Sequence, residues 1–274
     1  MDPILTRLET ELKLRGFTQA TLRTYKAQNR RFLEFIKKDA NSITEEDVKI
    51  YLGHLISEKN LKPASVGLAL SCLRYLYESL MKKKIFVDVK APKIEKKLPT
   101  VLTKFEMKKL LEAAKNPKHH LLIELMYASG LRVSECVNIK VNDMDFEEHL
   151  GRVISGKGKK DRNIILSEKL VKTLRSYLKK REEKSDYIFP SNGTHLTVRM
   201  AQKIVSESAK KAGIKRRVYC HAIRSTFATH LLEAGTDIRV IQELLGHSSI
   251  STTERYTRVS TEQIKKVRSP LDEL

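Results

Sequence analysis

Cysteine is scarce in this 274-residue chain. Cys72, Cys136 and Cys220 are odd in number, widely spaced and form no C-x-x-C pair. That pattern excludes a disulfide framework and a cysteine zinc cluster, and it points to a reducing compartment. Long apolar runs are missing as well. No stretch approaches the ~18 consecutive apolar residues of a spanning helix, which excludes a membrane-spanning protein, and of the partners weighed below a membrane is not the one expected. The opening MDPILTRLETELKLRG carries an early acid and no unbroken apolar core, which does not fit a secretory signal. The closing LDEL lacks the KDEL or HDEL form of a retention tag and reads as a coincidence. The expected location is the cytoplasm. Common chemistry motifs are absent too: there is no GxxxxGK[ST], no HExxH and no GxSxG.

Acid is the other shortage. Asp and Glu number 33 against 53 Lys and Arg, a net charge of +20. Such a surplus seeks a polyanion. Nucleic acid is the first candidate, because each neutralised phosphate releases condensed counterions. An anionic membrane surface is the second, and a solvated lysine-rich surface of thermophile type is the third. Residues 1–95 hold 18 basic and 12 acidic residues, and residues 96–274 hold 35 and 21. Both parts are basic, so both can face one polyanion, unlike a chain with a single basic tail. The acids are scattered, with no cluster to hold catalytic magnesium. Nucleic-acid chemistry here therefore has to run without metal, and no cofactor is expected. With 41% apolar and 31% charged residues the chain can bury a sizeable core, which excludes a disordered chain, and its length suits about two domains.

Apolar periodicity predicts a mainly α protein with a small β-sheet. Residues 1–81 read as a helical bundle of four amphipathic helices. Ile4, Leu5, Leu8 and Leu12 mark the first, which Gly16 can stop. Thr18 can cap the second, with Leu22, Tyr25, Phe32, Leu33 and Ile36 inward. Thr44 and the acids after it open the third, with Val48, Tyr51, Leu52, Leu55 and Ile56 buried. Pro63 can open the fourth, with Val66, Leu70, Leu73, Leu76 and Tyr77 inward. In the lysine-rich residues 82–99, with two prolines, the period fails, and they read as an inter-domain linker crossing a polyanion. Residues 100–260 resume with helices near 103–115 and 119–129, the latter ending at Gly130. Short apolar runs at Val153–Ile154 and Asn163–Leu166 flank SGKGKKDR and read as a β-hairpin. Helical patterns return near 168–181, 197–212, 221–234 and 237–245. Residues 261–274 form a tail with Ile264, Val267, Leu271 and Leu274.

One segment concentrates chemistry-bearing residues: HAIRSTFATHLLEAGTDIRVIQELLGHSSISTTERYT, residues 221–257. His221 and Arg224 share a face in the first turn of a helix, where the dipole already favours an anion. Leu245-Gly246-His247 follows, and Tyr256 stands nine residues on. Taken singly, each has an ordinary account: His221 a cap, His247 a packed core histidine, Tyr256 a half-buried surface tyrosine. Together they resemble the second motif box of the tyrosine recombinases, the integrase family. Ser129–Glu135, SGLRVSE, matches the family's arginine motif and gives Arg132 that role. SGKGKKDR matches the family's lysine turn and gives that role to Lys157. Order and spacing agree over most of residues 100–260. The short, two-domain layout is most similar to the Xer type, and the lysine-rich composition fits an archaeal one. Departures are small: Ile223 and Ser225 flank the second arginine, Cys220 precedes His221, and Arg258 follows the tyrosine. None removes a catalytic group.

The resemblance implies a fold, an N-terminal SAM-like DNA-clasping bundle followed by a recombinase catalytic domain. It also implies an activity: cutting and rejoining double-stranded DNA at a specific site through a covalent 3′-phosphotyrosine. Tyr256 is then the nucleophile, Arg132, Arg224, His221 and His247 hold the phosphate, and Lys157 is the acid for the departing 5′ oxygen. Glu135 either orients the site from behind or is an exposed helix acid. A homo-tetramer on two DNA sites is implied, and the tail can dock on its own or a neighbouring subunit. Resolution of chromosome or plasmid dimers is the leading expectation. The alternatives are a mobile-element integrase with the same chemistry, a type IB topoisomerase-like enzyme and a catalytically silent DNA-binding protein.

Overall fold

The computed structural model describes residues 3–93, 99–154, 161–247 and 249–254. The chain divides into two compact units, Met1–Lys96 and Lys97–Leu274. Among the described residues no helix is long and apolar enough to cross a membrane.

The first unit is built from α1 (Pro3–Leu14), α2 (Gln19–Ile36), α3 (Glu45–Ser57) and α4 (Pro63–Arg74), with a π-helical turn at Tyr75–Leu80. The start signals read from the sequence operate. The Thr18 hydroxyl accepts from the Thr21 N–H, and Pro63 opens α4. Thr44 and Asp47 form a reciprocal capping box that satisfies two otherwise unpaired N–H groups. Leu8, Leu12, Phe32, Val48, Val66, Leu73 and Tyr77 fill the core. Buried Asn29 donates to the carbonyls of Tyr25 and Cys72, clipping α2 to α4. Two expectations need correction. Ile56 is 47% exposed, because the inward stripe of α3 runs through Val48, Tyr51, Leu52 and Leu55 and Ile56 lies ~100° further round. The stretch expected to be linker also begins too early. Residues 82–93 form no helix or strand, yet Phe86 and Val89 are buried in the first core, and Arg74 donates to the Val89 carbonyl at 2.7 Å. The lysines disguise two core residues.

The second unit comprises α5 (Lys104–Ala113), α6 (Pro117–Ser129), α7 (Val133–Asn138), β1 (Met144–Asp145), β2 (Leu150–Val153), β3 (Arg162–Ile165), α8 (Glu168–Lys180), β4 (Pro190–Ser191), β5 (Thr194–His195), α9 (Val198–Lys211), α10 (Cys220–Glu233), α11 (Ile238–Leu245) and α12 (Ile250–Thr253). The expected hairpin is present as β2 and β3, antiparallel with Val153 opposite Arg162, and β1 adds a third strand. The hairpin residues 155–160 lie outside the described residues, as does the expected tail. The sequence reading missed α7 and the β4–β5 pair, which are too short to show a period.

α6 is the hub, buried on nearly every face, and it packs on α5, α7, α8, α9 and α10. α10 is buried to a similar degree, Ser225, Thr226 and Thr229 included. Thr226 is accommodated by accepting from the Leu102 N–H and donating to the Ala222 carbonyl. All three cysteines are buried and unbridged, and desolvation pushes their thiols up, Cys72 and Cys220 to about 11.

α6 ends at Gly130 in the left-handed conformation, φ 60°. A Cβ there would lie 2.4 Å from the Phe227 ring of α10. Gly130→Ala therefore combines a disfavoured φ with overpacking, at a cost of about 3 kcal/mol. The expected outcome is a clear fall in the melting transition of the second unit by calorimetry. An unchanged transition would show that the ring moves aside freely.

Candidate active site

Four segments converge where α6 and α11 end. Each of these helices terminates on a glycine with positive φ, Gly130 at 60° and Gly246 at 61°. Helix C-termini leave carbonyls without intrahelical partners. Here guanidinium groups satisfy them. Arg224, from the first turns of α10, is 1% exposed and donates to the carbonyls of Gly130 at 2.7 Å and Leu245 at 2.6 Å. Arg132, just before α7, donates to the Gly246 carbonyl at 3.3 Å. Arg162, which opens β3, donates to the Leu244 carbonyl at 2.8 Å.

Three guanidiniums this close repel one another, and one carboxylate compensates. Glu135 Oε1 accepts from Arg132 Nη1 at 2.7 Å and Arg162 Nη1 at 3.0 Å. Its Oε2 accepts from Arg162 Nη2 at 2.7 Å and from the Arg132 backbone N–H at 2.8 Å, with Arg224 Nη1 at 3.9 Å. Burial opposes the Glu135 charge, but the hydrogen bonds and charges of Arg162 and Arg132 outweigh it and hold the carboxyl at about 2. Glu135 is therefore not an exposed helix acid: it is half-buried and bound to Arg132 and Arg162. Three arginines and one carboxylate leave a formal surplus of +2.

His247 sits against this surplus. Its Nε2 is 3.2 Å from Arg224 Nη2 and its Nδ1 is 3.0 Å from Thr253 Oγ1. Because arginine can only donate, Nε2 is the acceptor and the proton resides on Nδ1. Burial, then repulsion from Arg224, Arg132, His221 and Arg162, depresses the imidazole to about 4. His221, one turn before Arg224, is exposed, and the first turn of α10 has no side-chain cap at Tyr219. Arg132, Glu135, Arg224 and His247 thus form one cluster, with His221 beside it. Lys157 and Tyr256 lie outside the described residues. Thr253, which holds His247, is three positions before Tyr256 in the sequence.

Arg162 and Thr253 were not singled out in the sequence. The strand alternation carried a signal for Arg162, since it shares the inward face of β3 with Ile164. Its place at the end of a lysine-rich turn masked it as one more surface cation.

Residues 100–263 match the phage integrase family, and residues 4–86 match that family's N-terminal SAM-like domain. The chain belongs to the phage integrase family. This tyrosine recombinase is 38% identical to tyrosine recombinase XerA of Pyrococcus furiosus over 269 residues, covering 96% of this chain and 92% of that one. Among solved structures it resembles an XerA recombinase, 31% identical with a TM-score of 0.58 over 97% of this chain and 99% of the other. It also resembles an XerH site-specific recombinase bound to a palindromic difH substrate in a post-cleavage complex. That pair is 25% identical with a TM-score of 0.75, over 98% and 85% of the two chains. The expected fold class and recombinase class both stand, including the Xer likeness.

The depressed imidazole makes a testable statement about this tyrosine recombinase. In the unfolded chain His247 charges near 6.5, whereas in the fold it stays neutral until about 4. The unfolded state binds the extra proton in that window, so stability falls as pH drops from 6.5 to 4. Glu135 adds a second loss between 4.5 and 2. Melting temperatures between pH 7.5 and 4 should fall more gently in His247→Asn than in wild type; equal slopes would contradict the assignment.

Proposed function

We propose that the chain is an Xer-like site-specific DNA recombinase that resolves chromosome or plasmid dimers in the cytoplasm, acting as a homo-tetramer on two double-stranded DNA sites. The observation that carries it is the pair Arg132 and Arg224, rigidly fixed beside His247 with a surplus of positive charge. Among the described residues three guanidiniums face one carboxylate, and the single negative charge of a phosphodiester, which grows in the transition state, suits that excess. The XerH relative caught on a difH substrate supports the same reading.

The chemistry follows from where charge develops. Tyr256 Oη attacks the phosphorus and loses its proton, and negative charge grows on the non-bridging oxygens. Guanidiniums aimed at those oxygens stabilise the transition state more than the ground state, and they need no reorganisation because backbone carbonyls already hold them. The P–O5′ bond breaks, and Lys157 gives its proton to the departing 5′ oxygen. His221 hydrogen-bonds the phosphate. Burial first, and then the neighbouring cations, keep His247 neutral, and a bound phosphate anion counters the part that comes from the cations. Rejoining is the reverse: a 5′-hydroxyl attacks, and the phosphorus–tyrosine bond breaks. The covalent link preserves the phosphodiester's bond energy, so rejoining needs no ATP.

Trapping tests this. Wild-type protein and Tyr256→Phe are incubated with host genomic DNA in EDTA and denatured in SDS, and protein-linked ends are sequenced. Wild-type adducts clustered at one chromosomal locus, with none from Tyr256→Phe, are expected. Clusters at element borders would replace the resolvase role with an integrase role, and scattered adducts would indicate a topoisomerase-like enzyme. Adducts from Tyr256→Phe would move the nucleophile elsewhere. Arg132→Ala should lower adduct formation by about 10²–10³-fold with DNA affinity nearly kept. Arg224→Ala should lose a similar factor, and also stability, because two buried carbonyls lose their donor. Near-normal cleavage by either variant would remove that arginine from the site.

A further inference from the structure

Arg162 is too well occupied to serve a substrate. Its side chain is 5% exposed, and each of its three nitrogens has an acceptor: Leu244 O for Nε, Glu135 Oε1 for Nη1 and Glu135 Oε2 for Nη2. The pairing with Glu135 is fork to fork, a two-bond geometry that a lysine ammonium does not reproduce. Its neighbours are fitted around it. A Cβ on Gly246 would lie 2.8 Å from Arg162 Cδ, so the glycine after Leu245 leaves room for this side chain as well as adopting positive φ.

Two connections run from this one residue. Along the backbone, Arg162 pairs with Val153 in the last rung of the β2–β3 hairpin. The segment that carries Lys157 is closed by that rung. Through its side chain, Arg162 shares Glu135 with Arg132, whose own guanidinium and backbone N–H are bound to the same carboxylate. We propose that Arg162 is a positioning residue that fixes the base of the basic hairpin and the Arg132–Arg224 pair as one unit through Glu135. It has a second, electrostatic effect. Without Arg162 the formal surplus of the cluster drops from +2 to +1. Glu135, now 3.9 Å from Arg224, is then free to draw that guanidinium toward itself. The inference rests on the proposed phosphate-handling site.

Two readouts separate this role from simple structural support. The first is single-turnover adduct formation on a duplex bearing the trapped site, at saturating protein, alongside DNA affinity. Arg162→Lys keeps the charge but loses the fork. It should slow adduct formation by about tenfold or more while DNA affinity stays within about threefold. The double variant Arg162→Lys with Glu135→Gln should be no slower than the slower single variant, because both act through one contact. Wild-type rates in Arg162→Lys, or independent multiplying losses in the double variant, would overturn the inference. The second readout needs no cleavage. In isotope-labelled full-length protein, the Nε–Hε resonance of Arg132 should shift in Arg162→Lys, and inorganic phosphate should perturb it about fivefold more weakly than in wild type. Unchanged Arg132 resonance and phosphate response would equally overturn it. If wild type forms no adduct, the recombinase reading fails by itself and the resonance measurement still decides the place of Arg162.

Discussion

The site depends on one largely enclosed carboxylate, the side chain of Glu135, 12% exposed. Like charges do not gather inside a protein unless something repays their desolvation and mutual repulsion. Glu135 does so for Arg132 and Arg162 by direct hydrogen bonds and for Arg224 at longer range. Among the described residues one carboxylate faces three guanidiniums, and on the proposed reading the excess is what meets a phosphate. A neutral cluster would be more comfortable but would have nothing left for a phosphate. A cluster without the acid would scatter its arginines into solvent.

Backbone geometry supplies the rest. α6 and α11 both stop on left-handed glycines, and both aim their unsatisfied carbonyls at guanidinium donors. Helix ends usually meet water or a capping side chain. Here they act as fixed acceptors that set the direction of each arginine. The guanidiniums are already held by these carbonyls, so on the proposed reading little side-chain freedom remains to be lost when DNA binds. This explains why the decisive residues fall at the junctions of elements, just past Ser129, before α7, in the early turns of α10 and after Leu245.

Much of this was legible beforehand, for physical reasons that differ by element. Thr18, Thr44 and Pro63 announce helix starts because capping is local chemistry. The β2–β3 hairpin was visible because a glycine-rich basic turn separates two apolar runs. The resemblance to the integrase motifs pointed to Arg132, His221, Arg224 and His247, and the fold brings these four together. What stayed hidden depends on tertiary contact. Arg162 looks like a surface cation until Glu135 is found facing it. Phe86 and Val89 sit among lysines and show no period, yet the first core claims them. The helix α7 is too short for periodicity and owes its start to the Glu135 carboxylate accepting from the Arg132 N–H.

The burial of the three native thiols has a practical consequence. Alkylating reagents attack the thiolate, and desolvation holds Cys72, Cys136 and Cys220 in the protonated, sheltered form. A cysteine introduced at an exposed position would therefore react far ahead of the native ones. The folded protein comes ready for attachment of a single fluorophore, without first rebuilding its core around three replacement side chains.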